Sequence, residues 1–415
     1  MRLTTLSIAA FFLAVSTAAG AAGGPCGTCH PVTVRGAHGN IPCGSCHIID
    51  GMTVRDPAAA AIRAKGCVSC HAGSERIFDG PMSVRGAEKE FASRTVGRFD
   101  PEFFRTECGS CHVSSCRDCH EGGGHAVSRP GMKSCLRCHS GYFVGADYLG
   151  LAPRDEHPRY GRGPSVGGEF YLKMLPDVHA EAGMPCGDCH SMRSLAAGKK
   201  SSRTCTDCHK AGKSVLEHRI GAHLTHMECF ACHAAWAAQE YGTFYVRTDE
   251  GEDRGFRLRH RTPGYAKSAY LKTQDSPPLG VNGRGRISPI RPQFILYYSD
   301  ARTGAGPREE NLLLAASWKA FFPHTVRRGT IVCGGCHDDP RRMVLERKQD
   351  RIYGLEEDGM GLASFWDRTG QRVTNGSFLD RARAARMSAG SRAYKKAFLE
   401  KWKSLTDRVE RSSGP

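Results

Sequence analysis

All twenty cysteines of this 415-residue chain fall into ten Cys-x-x-Cys pairs, and every pair is followed at once by histidine. The first five are Cys26/Cys29/His30, Cys43/Cys46/His47, Cys67/Cys70/His71, Cys108/Cys111/His112 and Cys116/Cys119/His120. The second five are Cys135/Cys138/His139, Cys186/Cys189/His190, Cys205/Cys208/His209, Cys229/Cys232/His233 and Cys333/Cys336/His337. Two thiols three positions apart each reach one vinyl group of a single porphyrin, and the adjacent imidazole then lies under the iron as its axial ligand. Zinc knuckles use paired cysteines but need no histidine after each one. A thioredoxin-type redox pair occurs once, beside a βαβ pattern, and a disulfide framework leaves ten histidines unexplained. The pattern therefore implies ten covalently held c-type haems, with the ten motif histidines as proximal iron ligands.

That cargo changes what the fold has to be. Only 40% of the residues are hydrophobic, so porphyrin faces are expected to take the place of missing Leu and Ile in the interior. The expected fold class is a multihaem cytochrome c, mostly loops and short helices around a haem array, with a small β/loop insertion and C-terminal helices. Residues 1–21 read as a secretory signal: Arg2 precedes an apolar run, and Ala19-Gly20-Ala21 fits a cleavage site. The run is shorter than the roughly 20 residues that span a bilayer, so export to the periplasm or outer cell envelope is expected, with no transmembrane span in the mature chain.

Nine motifs crowd into residues 22–233, and only three residues separate His112 from Cys116. Residues 234–332 carry no motif and read as the β/loop insertion, with β-like runs at 242–248 and 294–298 around a Pro/Gly-rich turn region at 276–292. The Gly-rich stretch at 280–285 is neither a P-loop nor a strand-to-helix GxGxxG. Residues 333–415 hold the tenth motif and a tail that is helical in pattern, with a break expected at Gly390. Tyr394, Phe398, Trp402, Leu405 and Val409 recur there at spacings of four and three, on one face. Such a stripe either packs on its own protein or docks another cytochrome.

An iron held by two histidines passes electrons, whereas one with an open sixth position can bind and reduce a small molecule. Ten of the 19 histidines are proximal, leaving nine distal candidates: His38, His125, His157, His179, His218, His223, His226, His260 and His324. Nine cannot serve ten irons, so one iron is expected to take Met or Lys, stay open, or borrow a ligand from a partner. His38, His125, His179, His226 and His324 lie within a dozen residues of a motif. His223 and His226 can share a helix face near His218, and His157 and His260 are more remote. His324 precedes the tenth motif and is expected to supply that iron.

The formal charge of +16 would suit nucleic acid, but ten haems bring twenty propionates, for which these Lys and Arg are partly counter-ions. The basic residues are spread along the chain with no aromatic-interleaved patch, so no nucleic-acid partner is expected.

Three stretches carry a family likeness. They are His179-x6-Cys186 with Gly183-Met184 inside it, the run His226-x-x-Cys229-Phe230-Ala231-Cys232-His233-Ala234-Ala235-Trp236, and Pro323-His324-Thr325 ahead of Cys333. On these the chain resembles multihaem c-type cytochromes of metal- and selenite-reducing bacteria. It is also distantly similar to the octahaem tetrathionate reductase and hydroxylamine oxidoreductase group. The resemblance implies envelope electron transfer among other redox proteins, an outer-membrane conduit among them. In that group another haem motif often follows the Trp, but here 240–244 reads Glu-Tyr-Gly-Thr-Phe, without Cys or His. The Lys ligand of the octahaem group has no matching motif. The expected role is a decahaem electron carrier in an anaerobic or extracellular respiratory chain. The alternative is a terminal reductase of a nitrogen, sulfur or selenium oxyanion at one incompletely ligated haem.

Overall fold

The structure is a computed structural model that describes residues 38–55, 57–58, 66–108, 112–120, 125–139, 147–148, 161–166, 169–173, 177–197, 202–249, 264–304, 310–328, 331–347, 368 and 370–412. The signal segment, Cys26, Cys29, His30, Cys111, His157 and His260 lie outside the described residues. Two compact units are interleaved along the chain, one from residues 1–84, 112–135 and 190–202, the other from 85–111, 136–189 and 203–415.

The helices are short until the last. They are α1 Cys43–His47, α2 Cys67–Cys70, α3 Pro81–Val84, α4 Gly86–Arg94, α5 Met132–Leu136, α6 Val178–Glu181 and α7 Cys186–Cys189. Then come α8 Met192–Ala197, α9 Leu216–Arg219, α10 Gly221–His226, α11 Cys229–His233, α12 Cys333–His337 and α13 Arg381–Ser412. Many of them are the Cys-x-x-Cys-His motifs themselves. A single helical turn puts residues i and i+3 on one face, which is how Cys-x-x-Cys presents both sulfurs to the same side.

The first unit contains α1, α2, α3, α8 and a hairpin of β1 Ile48–Ile49 with β2 Met52–Thr53, turned by Asp50 and Gly51 at positive φ. A 3-10 turn, Ser74–Asp79, packs against α3 and α8. Its Ile77 and Phe78 are buried, as are Ile49 and Ala58. Gly66 enters α2 at φ 64, and a Cβ there would lie 2.2 Å from the Pro57 oxygen, so the turn that launches this motif requires glycine.

The second unit is richer in sheet. A three-stranded sheet has the order β3-β5-β4, from β3 Asp147–Tyr148, β4 Gly161–Val166 and β5 Glu169–Lys173. A four-stranded sheet, β11-β10-β6-β7, joins β6 Trp236–Arg247, β7 Tyr265–Asp275, β10 Leu296–Asp300 and β11 Leu312–Ala315, with β10 parallel to β6. A five-stranded sheet, β13-β12-β9-β8-β14, joins β8 Leu279–Asn282, β9 Ile287–Pro292, β12 Ser317–Ala320, β13 Arg372–Val373 and β14 Gly376–Phe378. On the first of these larger sheets, Tyr245, Tyr265, Leu296 and Tyr298 close over Ala92 of α4, Val96 and Phe103. On the second, Leu279, Ile287 and Leu379 close over Ala231 of α11, Cys336 of α12 and Ala384 of α13. Each such large apolar side chain contributes about 1.5–3 kcal/mol on burial, so the strands of the insertion are what hold motifs nine and ten in place.

Two local expectations fail. The Pro/Gly-rich region 276–292 is an antiparallel hairpin, β8 with β9, rather than turn throughout. Gly280 is there because a Cβ would meet the Ser377 oxygen at 2.7 Å and Ile290 at 2.8 Å, a close approach read from sequence as a turn. The tail helix α13 runs through Gly390 without a break. One glycine costs a helix about 1 kcal/mol, and the Ala, Arg, Lys and Leu around it carry the helix past.

Candidate haem-ligating sites

Most described motifs open on a helical turn, and local caps set two of these turns. Ser115 and Thr204 each begin a capping box in which Asp118 and Asp207 reach back to the cap nitrogen. Asp118 Oδ2 accepts from Ser114 N at 2.7 Å and from Ser115 N at 2.9 Å. Asp207 Oδ2 accepts from Thr204 N at 2.6 Å. The signal was in the sequence as Ser/Thr-Cys-x-Asp-Cys-His, a capping pattern fused to a haem motif. Cys108 closes a π-helical turn, Phe104–Cys108, and Cys135 lies in α5 with Cys138 and His139 just beyond it.

Cys119 falls just outside the helical turn of its motif. The turn of its motif is a 3-10 helix, Cys116–Asp118, which stops one residue short of it, so Cys119 is the C-cap at φ −113 and ψ −41. Its N–H donates to the Cys116 oxygen at 3.3 Å. Cys208 stands in the same relation to the turn Cys205–Asp207, again with an N–H to oxygen distance of 3.3 Å. In both, the Asp between the two cysteines spends its carboxylate on the Ser or Thr cap, whereas the motif of Asp188 opens after Pro185, which offers no such cap, and its turn is α-helical. A 3-10 turn eclipses residues i and i+3, so Cys119 still presents its sulfur on the side of Cys116. No disulfide joins the described cysteines, Cys119 included.

The motif histidines are then met by histidines from other segments. His38 faces His71 with ring centroids 6.0 Å apart, and His125 faces His47 at 5.7 Å. In the second unit His179 faces His209 at 5.8 Å, His218 faces His233 at 6.0 Å, and His223 faces His337 at 6.0 Å. In each pair one ring follows a Cys-x-x-Cys and the other is a distal candidate. Two metal–nitrogen bonds of about 2.0–2.1 Å in line, plus about 1 Å from each nitrogen to its ring centre, separate the centroids by about 6 Å. The pairs therefore have the spacing of two axial imidazoles sharing one iron.

Several outer ring nitrogens fit the same arrangement, although the buried Nδ1 of His38 has no acceptor among the described residues. A ligating histidine holds its second N–H on an acceptor, which fixes the tautomer and aims the other nitrogen at the metal. Nδ1 of His47 lies 2.8 Å from the Val54 oxygen, that of His112 2.9 Å from the Ser83 oxygen, and that of His120 3.1 Å from the Ser128 oxygen. Nδ1 of His233 lies 3.0 Å from the Arg327 oxygen, and those of His218 and His223 lie 3.3 Å from the oxygens of Gly212 and Glu217. His190 Nδ1 lies 3.0 Å from Ser202 Oγ. His179 differs from these, because its Nδ1 lies 2.7 Å from Asp177 Oδ1, a carboxylate that is nearly fully buried. Burial, and then the neighbouring His223, hold His337 below the usual imidazole range, and burial does the same for His190. Both effects favour the neutral imidazole that binds metal.

The sulfurs of successive motifs adjoin. Cys205 and Cys229 hydrogen-bond to each other, which pushes Cys205 up and pulls Cys229 down to about 6. Burial, then the nearby Cys336, pushes Cys232 up to about 11, and both of these residues belong to one apolar cluster. Cys46 is raised by burial and then by Cys67 and Cys70. Between motifs nine and ten lies Arg342, 2% exposed, donating to the oxygens of Pro277 and Ala231. Its buried Nε has no acceptor, and a buried cation with a spare donor suits a haem propionate. Among the described residues no group of three or more His, Cys, Asp or Glu is set to hold a bare metal ion. The donors come as axial pairs, and the residues present fit c-type haem.

Two distal candidates are placed differently from expectation. His324 has φ 54 and packs its ring edge-on to Phe322 at 4.3 Å. His223, and not His324, faces the tenth motif's His337. His226 ends α10 exposed. Sequence reasoning also missed Asp177, although Asp-x-His ahead of a motif was its signal, and Arg286, whose guanidinium donates to the oxygens of Leu224, Thr225 and Met227 at the end of α10. The neighbouring Glu228 accepts from Asn282 and Arg284, both at 2.7 Å. The Gly-rich stretch is thus a clamp on α10 and α11.

No protein-family model matches the chain, and no solved structure matches it. It is 25% identical over 154 residues to the dissimilatory sulfite reductase MccA of Wolinella succinogenes, a match covering 29% of this chain. The match spans only 22% of that protein's length. The likeness supports a distant relationship to a multihaem cytochrome. Among the described residues no helix is long and apolar enough to cross a membrane.

Proposed function

We propose that this chain is an exported c-type cytochrome with ten covalent haems that carries electrons in the cell envelope between other redox proteins. The observation that supports it best is the set of five histidine pairs: a motif histidine opposed by a second histidine leaves no position for substrate. When bound, haem supplies a one-electron iron couple. The chain's residues do the rest. In each pair the motif histidine and its partner, His38, His125, His179, His218 or His223, are the residues that would hold the iron. Backbone oxygens on Nδ1 of His47, His218, His223 and His233, and the Asp177 carboxylate on that of His179, keep those rings in one tautomer, and the buried clusters around α11 and α12 keep water away. Two such ligands would leave the iron able to exchange an electron but with no position for bond chemistry.

The test is the native exported protein. A pyridine haemochromogen assay is expected to give ten haems per chain, and the oxidised electron paramagnetic resonance spectrum is expected to be dominated by low-spin bis-histidine iron. A chain without a Soret band, or one whose irons are mostly high-spin, would overturn the reading. A second reading is a terminal oxyanion reductase. It is favoured by the likeness to a sulfite reductase and by nine distal candidates for ten motifs. Turnover of sulfite, nitrite, tetrathionate or selenite with a reduced viologen, abolished by cyanide, would select it.

A further inference from the structure

The helix α13 begins as part of the core and then leaves it. Ala384 and Met387 pack with Leu279, Ile287 and Cys336, Ser388 Oγ donates to the His337 oxygen, and Lys395 Nζ reaches Asp338 at 2.9 Å. Beyond that point the same face continues in the open. Phe398 is 37% exposed, Trp402 55% and Leu405 39%, with Leu399 at 67% beside them. Tyr394, Phe398 and Trp402 line up ring against ring along the helix, at 6.3 and 6.1 Å.

Charge says what this face can meet. From Arg381 to Ser412 the helix has ten Lys and Arg against Glu400, Asp407 and Glu410. At about 3.6 residues per turn, Lys395 and Lys401 fall on opposite edges of the apolar stripe, with Lys403 and Arg408 farther round. A second copy of so basic a helix would repel the first. A surface that is anionic and has an apolar layer beneath its charges satisfies both faces: the aromatic stripe enters the acyl boundary while the flanking lysines lie among the headgroups.

We propose that α13 from Tyr394 to Val409 is a docking face for the anionic headgroup layer of a phospholipid membrane, and that the helix lies in the membrane plane. The inference goes beyond the electron-carrier reading and needs only the exposed helix. If both hold, the anchoring of α13 at His337 and Asp338 brings the tenth motif to the lipid surface.

The test uses the purified full-length holoprotein, co-sedimented with phosphatidylcholine vesicles and with phosphatidylcholine–phosphatidylglycerol vesicles at low and high salt. Binding to the anionic vesicles is expected to be at least about tenfold tighter than to the neutral ones and to weaken with salt. Phe398→Glu with Trp402→Glu, and separately Lys401→Glu with Lys403→Glu, are expected to lower it about tenfold with an unchanged Soret spectrum. Failure of wild type to bind the anionic vesicles overturns the proposal, as does binding that neither pair of substitutions lowers. A dimer that Phe398→Glu with Trp402→Glu dissociates would assign the stripe to a second copy. Lower thermal stability in those variants, without vesicle binding by wild type, would assign it to the chain's own packing. Either result overturns membrane docking, and neither bears on whether the haems are present.

Discussion

Both carboxylate oxygens of Asp177 are engaged. Oδ1 accepts from the backbone N and the Nδ1 of His179, and Oδ2 accepts from Val326 N at 2.7 Å. A buried carboxylate on the far side of an axial imidazole makes that ring a stronger donor, which stabilises ferric over ferrous iron and lowers the potential. Asp177→Asn keeps an acceptor for His179 and removes the charge. On the proposed reading, a haem attached at Cys205 and Cys208 is therefore expected to shift positive by about 60 mV, tenfold in a one-electron equilibrium. Asp177→Glu is expected to shift it much less. Potentiometric titration followed by low-temperature spectra measures this, and coincident titrations of wild type and Asp177→Asn would sink it. At this scale the motifs were legible because covalent chemistry dictates their spacing. The pairings were not, because a distal ring needs only to arrive opposite an iron. His38 passes over the second motif to face His71 of the third, and His223 passes over the ninth to face His337.

At the scale of elements, the four-stranded sheet carries its own pH limit. Tyr245, Tyr265 and Tyr298 are all nearly fully buried, and all three phenols are pushed up from their usual range. Burial is the main cause in each. Tyr265 also donates to Asp100 at 2.9 Å, and Tyr298 lies near Asp300. A raised phenol keeps its proton in the native state while the unfolded chain ionises. Stability is therefore intact below about pH 10 and falls as pH rises from there toward the native-state values. Each such group lowers the unfolding free energy by about 1.4 kcal/mol per pH unit in that window. Denaturant titrations at rising pH are expected to show the loss, and Tyr265→Phe is expected to make the slope shallower. A flat profile to about pH 11 would contradict it.

The β8–β9 hairpin makes a second prediction at this scale. Arg286→Ala removes the donor from three backbone oxygens at the end of α10, at a cost of about 1–3 kcal/mol. The helix carrying His223 should then fray, and on the proposed reading a high-spin fraction should grow at a haem held by Cys333 and Cys336. Magnetic circular dichroism reads that fraction directly, and an unchanged spectrum would remove the clamp from the account. The β-branched and aromatic runs at 242–248 and 294–298 made the second half of β6 and most of β10 legible, but not the start of β6 at 236–241. The hairpin was not, because its Gly and Pro have reasons that exist only once β14 and β12 lie beside it.

For the molecule as a whole, the two units differ in how much of their interior is polypeptide. The described part of the first unit buries Ile49, Ala58, Ile77 and Phe78 as its apolar core. Such side chains contribute about 1.5–3 kcal/mol each, whereas ordering each residue's backbone costs about 1–2 kcal/mol. Those four cannot offset the ordering of the segments around them, so on the proposed reading the porphyrins must supply the rest. The second unit has two apolar clusters and the larger sheets, with Leu279, Ile290 and Trp318 in their strands and Ile295 and Leu379 beside them fully buried. A chain made without haem attachment, with the motif cysteines changed to alanine, is therefore expected to fold in part. Hydrogen exchange should find the amides of β6, β9, β10 and β12 protected, while those of α1, α2 and the Ser74–Asp79 turn exchange at unfolded rates. The holoprotein should protect both sets. If the haem-free chain protects the first unit as well, its core is polypeptide after all, and the low apolar content of the sequence has some cause other than ten porphyrins.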